Sequence, residues 1–255
     1  SFKKWKYFKG IATGIFNDYD FIFPQNKETL NYLKYFKVKN MKILGNLKFS
    51  ETNKINKTRY LYKSFNKRKI FCAASTHPNE EEIVSDIYLS LKKNIGNLIT
   101  IIIPRHVHRS TDIMFEIENL GLKVSNHSSK PKSLKNTDIY VVDTFGETNK
   151  FHKIGCSVFL GGSIIHRGGQ NPLEAARFGA KILHGPNTDN FKDVYKLLNS
   201  LKVSKKIHTP KELASSITFK KNKIKGNKIK NIGQNILKKT IKELDYFIIN
   251  EFKKT

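Results

Sequence analysis

The chain has 255 residues, enough for one large or two modest domains with a substantial core. Its 47 Lys and Arg against 21 Asp and Glu give a formal charge of +26, which favours an anionic partner: nucleic acid, a phospholipid surface or a phosphorylated substrate. No apolar run reaches the roughly 18–20 residues needed to cross a bilayer, and the two cysteines, Cys72 and Cys156, sit in apolar segments that predict buried free thiols, as in a reducing compartment.

About half of the charge excess is explained by composition, since Lys, Ile and Asn are abundant together, as in an AT-biased genome. The chain begins at Ser1 in mid-pattern, which predicts a fragment or a processed product.

In chain order, β-type runs at 20–23 and 41–44 flank a helical stretch, a strand–helix–strand unit too small to stand alone. Residues 49–68 are polar and basic without a clean period and read as a linker. Strands are then predicted at 69–74, 98–103, 138–142, 157–160 and 181–183, alternating with helices, which argues for a parallel sheet covered on both faces. The helix over 79–93 opens on Asn79 and three glutamates, Glu80, Glu81 and Glu82, and Ile83, Ile87 and Leu91 mark its buried face. Thr209-Pro210-Lys211-Glu212 forms a capping box. Residues 219–231 are rich in Lys and Asn and read as mobile or surface-bound, and 232–253 as a closing helix with Ile236, Ile241, Leu244 and Phe247 or Ile248 on one side.

The stretch from Gly161 to Pro186 carries the sharpest local signal. Gly168-Gly169 allows close backbone approach to a ligand, Asn171 is placed as a helix N-cap, Pro172 as the first helical residue and Glu174 as the third. A glycine-rich turn feeding a well-capped helix is the plain alternative to a nucleotide site.

Ligands of such domains bind at the carboxyl ends of the strands. Four polar segments fall there: Ser75-Thr76-His77-Pro78, Pro104-Arg105-His106, Asp143-Thr144-Phe145-Gly146-Glu147, and the Gly-rich segment. Arg105 offers a rigid fork to a phosphate, with an ion pair to a neighbouring helix as its alternative. Phe145 and Gly146 suit a base lying on an aromatic ring and open backbone, whereas Glu147 suits a helix start. Glu174 suits ribose hydroxyls or, again, a helix start. His106 and His108 lack carboxylate or Cys companions at ligand spacing, so no metal site is expected.

Taken with Ala74, Gly161-Gly162-Ser163, Gly168-Gly169-Gln170-Asn171-Pro172-Leu173-Glu174, Gly185-Pro186, Asn190-Phe191 and the upstream Gly45-Asn46-Leu47-Lys48-Phe49, these segments closely resemble the 3-deoxy-D-manno-octulosonic acid (Kdo) transferases of Gram-negative bacteria, over residues 1–218. The resemblance implies an α/β GT-B glycosyltransferase. Residues 1–48 would end an N-terminal, acceptor-side Rossmann-like domain, 49–68 would link, 69–231 would form the C-terminal Rossmann-like domain that binds CMP-Kdo, and 232–255 a closing helix. It implies inverting transfer of Kdo from CMP-Kdo to a lipid A precursor (lipid IVA) in lipopolysaccharide synthesis, with no metal or other cofactor, at the cytoplasmic face of the inner membrane. CMP contacts are implied at Pro104, Arg105, Phe145, Gly146, Glu147, Asn171, Pro172, Leu173 and Glu174, and substrate contacts at Lys48, Ser75, His77, Gly162, Ser163 and Gln170. Implied partners are the lipid A precursor, CMP-Kdo and an anionic membrane surface, with no nucleic acid.

Gln170, Phe145 and Ser50 stand where the family usually has His, Met and Asp. The family's catalytic glutamate belongs to a segment this sequence does not contain, so residues 1–255 are expected to bind donor without transferring it. The alternatives are another GT-B enzyme, such as a nucleotide-sugar epimerase using a uridine diphosphate sugar, and a basic nucleic-acid-binding protein. The latter lacks the interleaving of aromatic and basic residues that a stacking platform needs.

Overall fold

A computed structural model describes residues 2–50, 63–65 and 68–252. Most of the expected linker lies outside the described residues. The chain divides into two compact units, one of Ser1–Thr52 with Lys230–Thr255 and one of Asn53–Ile229.

In the smaller unit, helices α1 (Phe2–Tyr7), α2 (Lys9–Asn17) and α3 (Lys27–Tyr35) enclose a small core of Ala12, Leu33, Phe36 and Val38. The Asn26 side chain caps α3 by accepting from the Thr29 N–H at 2.8 Å. The two strands expected here reduce to one parallel bridge between Ile22 and Met41. Phe49, assigned to the linker by composition, is buried at the end of a 3-10 turn, Leu47–Phe49, and belongs to this unit.

The larger unit is an all-parallel, seven-stranded sheet ordered β3-β4-β2-β1-β5-β6-β7. Its elements run β1 (Lys69–Thr76), α4 (Glu80–Lys92), β2 (Leu98–Pro104), α5 (Ser110–Asn119), β3 (Val124–Asn126), β4 (Ile139–Val141), α6 (Thr148–Ile154), β5 (Ser157–Leu160), α7 (Leu173–Arg177), β6 (Lys181–His184), α8 (Lys192–Ser200), β7 (Ser204–Lys206), α9 (Pro210–Ser216) and α10 (Lys223–Phe252), the last continuing into the smaller unit. The chain winds outward from β1 through β2 to β3 and β4, then returns to β5 on the other side of β1. That places the topological switch point between β1 and β5. The central strands are apolar along their whole length because helices cover both faces. All of β2 is buried, and Phe71, Ala73, Ile102, Val141 and Phe159 lie in one core with Val84, Ile87 and Tyr88 of α4.

Several expectations change. The edge strands β3 and β7 were not foreseen, being three residues each and mostly polar, Val-Ser-Asn and Ser-Lys-Lys. Helix α4 buries Glu80, Glu81, Val84, Ser85, Ile87 and Tyr88, while Ile83 and Leu91 are only half-buried at the margin of the core. The face is turned because the two glutamates have internal partners. Residues 223–231 are helical from Lys223: the Asn222 side chain accepts from the Lys225 N–H at 3.0 Å, and Gly226 lets the helix approach the chain at Arg177 and Gly179. A Cβ on Gly226 would stand 2.8 Å from the Arg177 carbonyl oxygen. The unit boundary therefore falls at 229/230, inside α10, and the segment from 232 is no separate closing element but packs with the N-terminal residues. Both cysteines are free. Cys72 is buried, and burial pushes its thiol up to about 12; Cys156 is half-buried just before β5.

Asp138, at the start of β4, joins α4 to the sheet. It accepts from Tyr88 Oη at 2.5 Å, Lys92 Nζ at 2.7 Å and the Lys123 N–H at 2.9 Å. Burial alone would raise its pKa, but these bonds outweigh it and hold the carboxyl below its usual range. Because the folded value is depressed, the stabilisation is complete above the unfolded carboxyl pKa of about 3.9 and is lost as pH falls through the folded value. Asp138→Asn should destabilise the fold by about 1–3 kcal/mol near neutral pH, with the gap to the parent shrinking below about pH 4, as read by chemical denaturation across that range.

Candidate functional site

The carboxyl ends of β4, β2, β1 and β5 stand side by side, and the four polar loops predicted from sequence all leave from them. β1 ends with a register shift between Ala74 and Thr76, where Ser75 takes a left-handed backbone with φ of 56°. The Thr76 carbonyl accepts from the Arg105 N–H at 2.9 Å, which fixes the exit of β2 against the exit of β1.

Glu80 holds the switch point together. Its side chain is wholly buried, with Oε2 accepting from the Gly162 N–H at 2.8 Å and the His77 N–H at 3.1 Å, and Oε1 accepting from the Ile164 N–H at 3.3 Å. Burial raises the pKa of this carboxyl, and the backbone N–H bonds oppose that rise. Gly161 must be glycine for this to form: a Cβ there would lie 2.4 Å from the Ser75 carbonyl oxygen and 2.6 Å from Glu80 Oε2. Ser163 continues the tie to β6, donating to the Leu160 carbonyl at 2.5 Å and accepting from the Gly185 N–H at 2.8 Å. Expected as a substrate contact, Ser163 is instead wholly buried with its hydroxyl committed inside the loop.

His77 is buried beside this clamp, its Nδ1 3.1 Å from the Ser75 carbonyl. That geometry assigns the proton to Nδ1 and leaves Nε2 an acceptor. Burial lowers the pKa of His77, outweighing the Ser75 bond, so the ring is neutral at physiological pH. Gly162 packs against the same imidazole. Gln170 is half-buried, its carbonyl accepting from Tyr195 Oη at 3.0 Å. Lys48 is exposed on the 3-10 turn of the smaller unit, where its N–H donates to Asn46 Oδ1 at 2.9 Å.

The loop after β4 divides its residues between inside and outside. Phe145 is 94% exposed, and Gly146 beside it has φ of 79°. Glu147 points inward: Oε2 lies 2.5 Å from His127 Nε2 and accepts from Thr144 Oγ1 at 2.9 Å, while Oε1 accepts from Lys150. Burial would raise its pKa, but the Lys150 and Thr144 bonds and the nearby His127 hold it low. Glu147 occupies the N-cap position of α6, but its side chain makes no capping bond there and is engaged by His127, Thr144 and Lys150 instead. His127 also meets Tyr140 Oη at 2.8 Å. Sequence reasoning missed His127 and Tyr140, because only the pairing of β3 with β4 brings residue 127 beside residue 147.

In the Gly-rich segment the helix begins one residue later than expected. Leu173 is its first residue, Pro172 occupies the N-cap position, and Asn171 Oδ1 accepts from the Leu173 N–H at 3.1 Å. Pro172 and Leu173 are buried, so they shape the turn. Glu174 is half-buried, with Oε2 3.9 Å from Nδ1 of the buried His152. Burial pulls the His152 pKa down to about 3, so it is neutral, and neither ring nitrogen has a hydrogen-bond partner among the described residues. Pro104 is buried at the end of β2, whereas Arg105 is exposed and makes no ion pair with an acid among the described residues.

The outward-facing chemistry is thus a guanidinium at the end of β2 and an aromatic ring beside open backbone after β4, with the half-buried Glu174 carboxylate at the start of α7. These suit a phosphate, a planar base and a ribose diol respectively.

No family model matches the chain. It is 31% identical over 241 residues to a 3-deoxy-D-manno-octulosonic acid transferase of Rickettsia bellii, covering 93% of this chain and 57% of that one. It is also 31% identical over 176 residues to the Haemophilus influenzae enzyme of the same name, covering 67% of this chain and 40% of that one. The chain spans about half the length of the curated relatives it matches. Among solved structures, the C-terminal CMP-Kdo binding domain of WaaA from Acinetobacter baumannii superposes with a TM-score of 0.59 at 22% identity, over 71% of this chain and 95% of that domain. The larger unit has the fold of that domain, as expected for the C-terminal Rossmann-like domain of a GT-B glycosyltransferase. By identity along nearly its whole length, the chain belongs to the 3-deoxy-D-manno-octulosonic acid transferase family.

Proposed function

We propose that the larger unit binds CMP-Kdo at the carboxyl ends of β1, β2, β4 and β5, and that the protein serves inverting, metal-independent transfer of Kdo to a lipid A precursor. The observation that carries this reading is the exposed Arg105 guanidinium at the end of β2 and the outward Phe145 ring after the adjacent β4, at the edge where buried Glu80 ties together the loops after β1 and β5. As the glycosidic bond breaks, its electron pair passes to the CMP phosphate. Arg105 is the group to stabilise that charge, in the role a cation plays elsewhere. The acceptor hydroxyl attacks the anomeric carbon from the opposite face and gives its proton to a base. Glu80 and Glu147 are committed to internal partners and are not assigned as that base; Lys48 of the smaller unit is assigned to the acceptor side.

A lipid acceptor places the reaction at a membrane surface, here the cytoplasmic face of the inner membrane. No described helix is long and apolar enough to cross a membrane. The charge of +26 supports binding to anionic lipid, at about 1 kcal/mol per well-placed basic residue.

Calorimetric titration tests the reading: CMP should bind, and UDP at least about tenfold more weakly, whereas preference for UDP would favour an epimerase-like donor. Arg105→Ala should weaken CMP binding roughly ten- to a hundredfold with an unchanged melting temperature, because a charge-assisted bond is lost from an exposed site. Unchanged affinity would remove Arg105 from the site. Glu174→Gln should narrow the preference for CMP over 2′-deoxy-CMP, and a preference left intact assigns Glu174 to the helix start alone. Glu80→Gln sets an amide N–H against buried backbone N–H groups. It should destabilise the fold by about 2–4 kcal/mol and weaken CMP binding as well, measured by denaturation and titration of one sample.

A further inference from the structure

At the opposite edge of the larger unit, the amino ends of β1 and β6 and the turn before β7 border a cavity of about 680 Å³. Its walls include Ala180, Val203 and Phe219, and five lysines line it: Lys69, Lys181, Lys202, Lys220 and Lys225. No acidic residue does so, and among the described residues none of the five lysines pairs with an acid.

Three of these cations have only neutral partners. Lys69 Nζ lies 5.7 Å from the centroid of the Phe219 ring, Lys181 Nζ donates to the Ser216 carbonyl at 2.7 Å, and Lys225 Nζ donates to the Lys202 carbonyl at 2.7 Å. Lys202 and Lys220 are exposed at the rim. Burial lowers the pKa of Lys181, and Lys205 nearby adds repulsion, so the cluster is electrostatically crowded. Gly226 approaches Arg177 and Gly179 closely near the start of α10, and Gly179 and Lys225 line the cavity.

An apolar hollow of this size falls in the range of small-molecule sites, about 300–1,000 Å³. A rim of uncompensated ammonium groups selects an anion, and apolar walls select a ligand with an apolar body. We infer that this cavity binds an anionic amphiphile, a phosphate or carboxylate head on an apolar chain or ring. It lies at the amino ends of the strands, so it is separate from the loops assigned to the nucleotide.

Calorimetric titration of the whole chain with dodecyl phosphate, kept below micelle formation, should show saturable one-to-one binding. Dodecyl maltoside, which is neutral, and inorganic phosphate, which has no apolar body, should each bind at least about tenfold more weakly. The double variant Lys202→Glu with Lys220→Glu should lose about tenfold or more in affinity for dodecyl phosphate while binding CMP as the parent does. Lys220→Gln, a neutral change at an exposed position, gives a milder loss in the same direction if the double variant folds poorly. Sedimentation with phosphatidylglycerol vesicles distinguishes the source. Vesicle binding that the double variant loses identifies a lipid headgroup, and dodecyl phosphate binding without vesicle binding identifies a free anion. Equal affinity for dodecyl maltoside or inorganic phosphate, or an undiminished double variant, overturns the inference.

Discussion

The switch point at the carboxyl edge of the sheet is built around one buried carboxylate. Glu80 begins α4, yet its oxygens accept three backbone N–H bonds, from His77 in the loop after β1 and from Gly162 and Ile164 in the loop after β5. Those strands flank the switch point, where adjacent chains diverge and leave backbone donors without strand partners. An unpaired buried N–H costs as much as a lost hydrogen bond, so a fixed acceptor there makes two loops one rigid body. Gly161 is the matching constraint, because any side chain at that position would collide with the carboxylate.

The same division of labour recurs around the site. Asp143 accepts from the Ser128 N–H at 2.7 Å and from Asn126 Nδ2 at 2.8 Å, which ties the end of β4 to the loop after β3. Burial opposes its ionisation, but these bonds hold its pKa low. Glu147 is engaged by His127, Thr144 and Lys150. Lys221 donates to the carbonyls of His152 and Lys153 and so covers the carboxyl end of α6, even though burial draws its pKa down to about 8. With these groups satisfied internally, Arg105 and Phe145 are left facing outward. A site that must hold an anionic ligand benefits from this arrangement, since scaffold carboxylates that are already bonded do not compete for its guanidinium.

The two edges of the sheet differ in kind. The carboxyl edge presents few, specific groups on loops that hydrogen bonds hold in place. The amino edge collects lysines around apolar walls with no acid to balance them. Five lysines against apolar walls, with no acid among the lining residues, give the cavity a chemical preference that net charge alone does not.

Some of this was legible in the sequence. The alternation of apolar runs with capped helices determined a parallel doubly wound sheet, because only helices on both faces bury strands such as 98–104 throughout. The positions of Arg105, Phe145 and Glu174 at strand ends followed from that order alone. Tertiary structure decided which polar residues are spent inside. Ser163 and Glu147 look in sequence like ordinary loop polar residues, and Glu80 looks like any helix-start acid. Their partners lie on other strands, at separations set by the crossovers, and no local period encodes such a bond. The edge strands β3 and β7 and the early start of α10 were hidden for the same reason: strands of three mostly polar residues carry little burial signal, and a Lys-rich segment becomes helical only where Asn222 caps it and Gly226 packs.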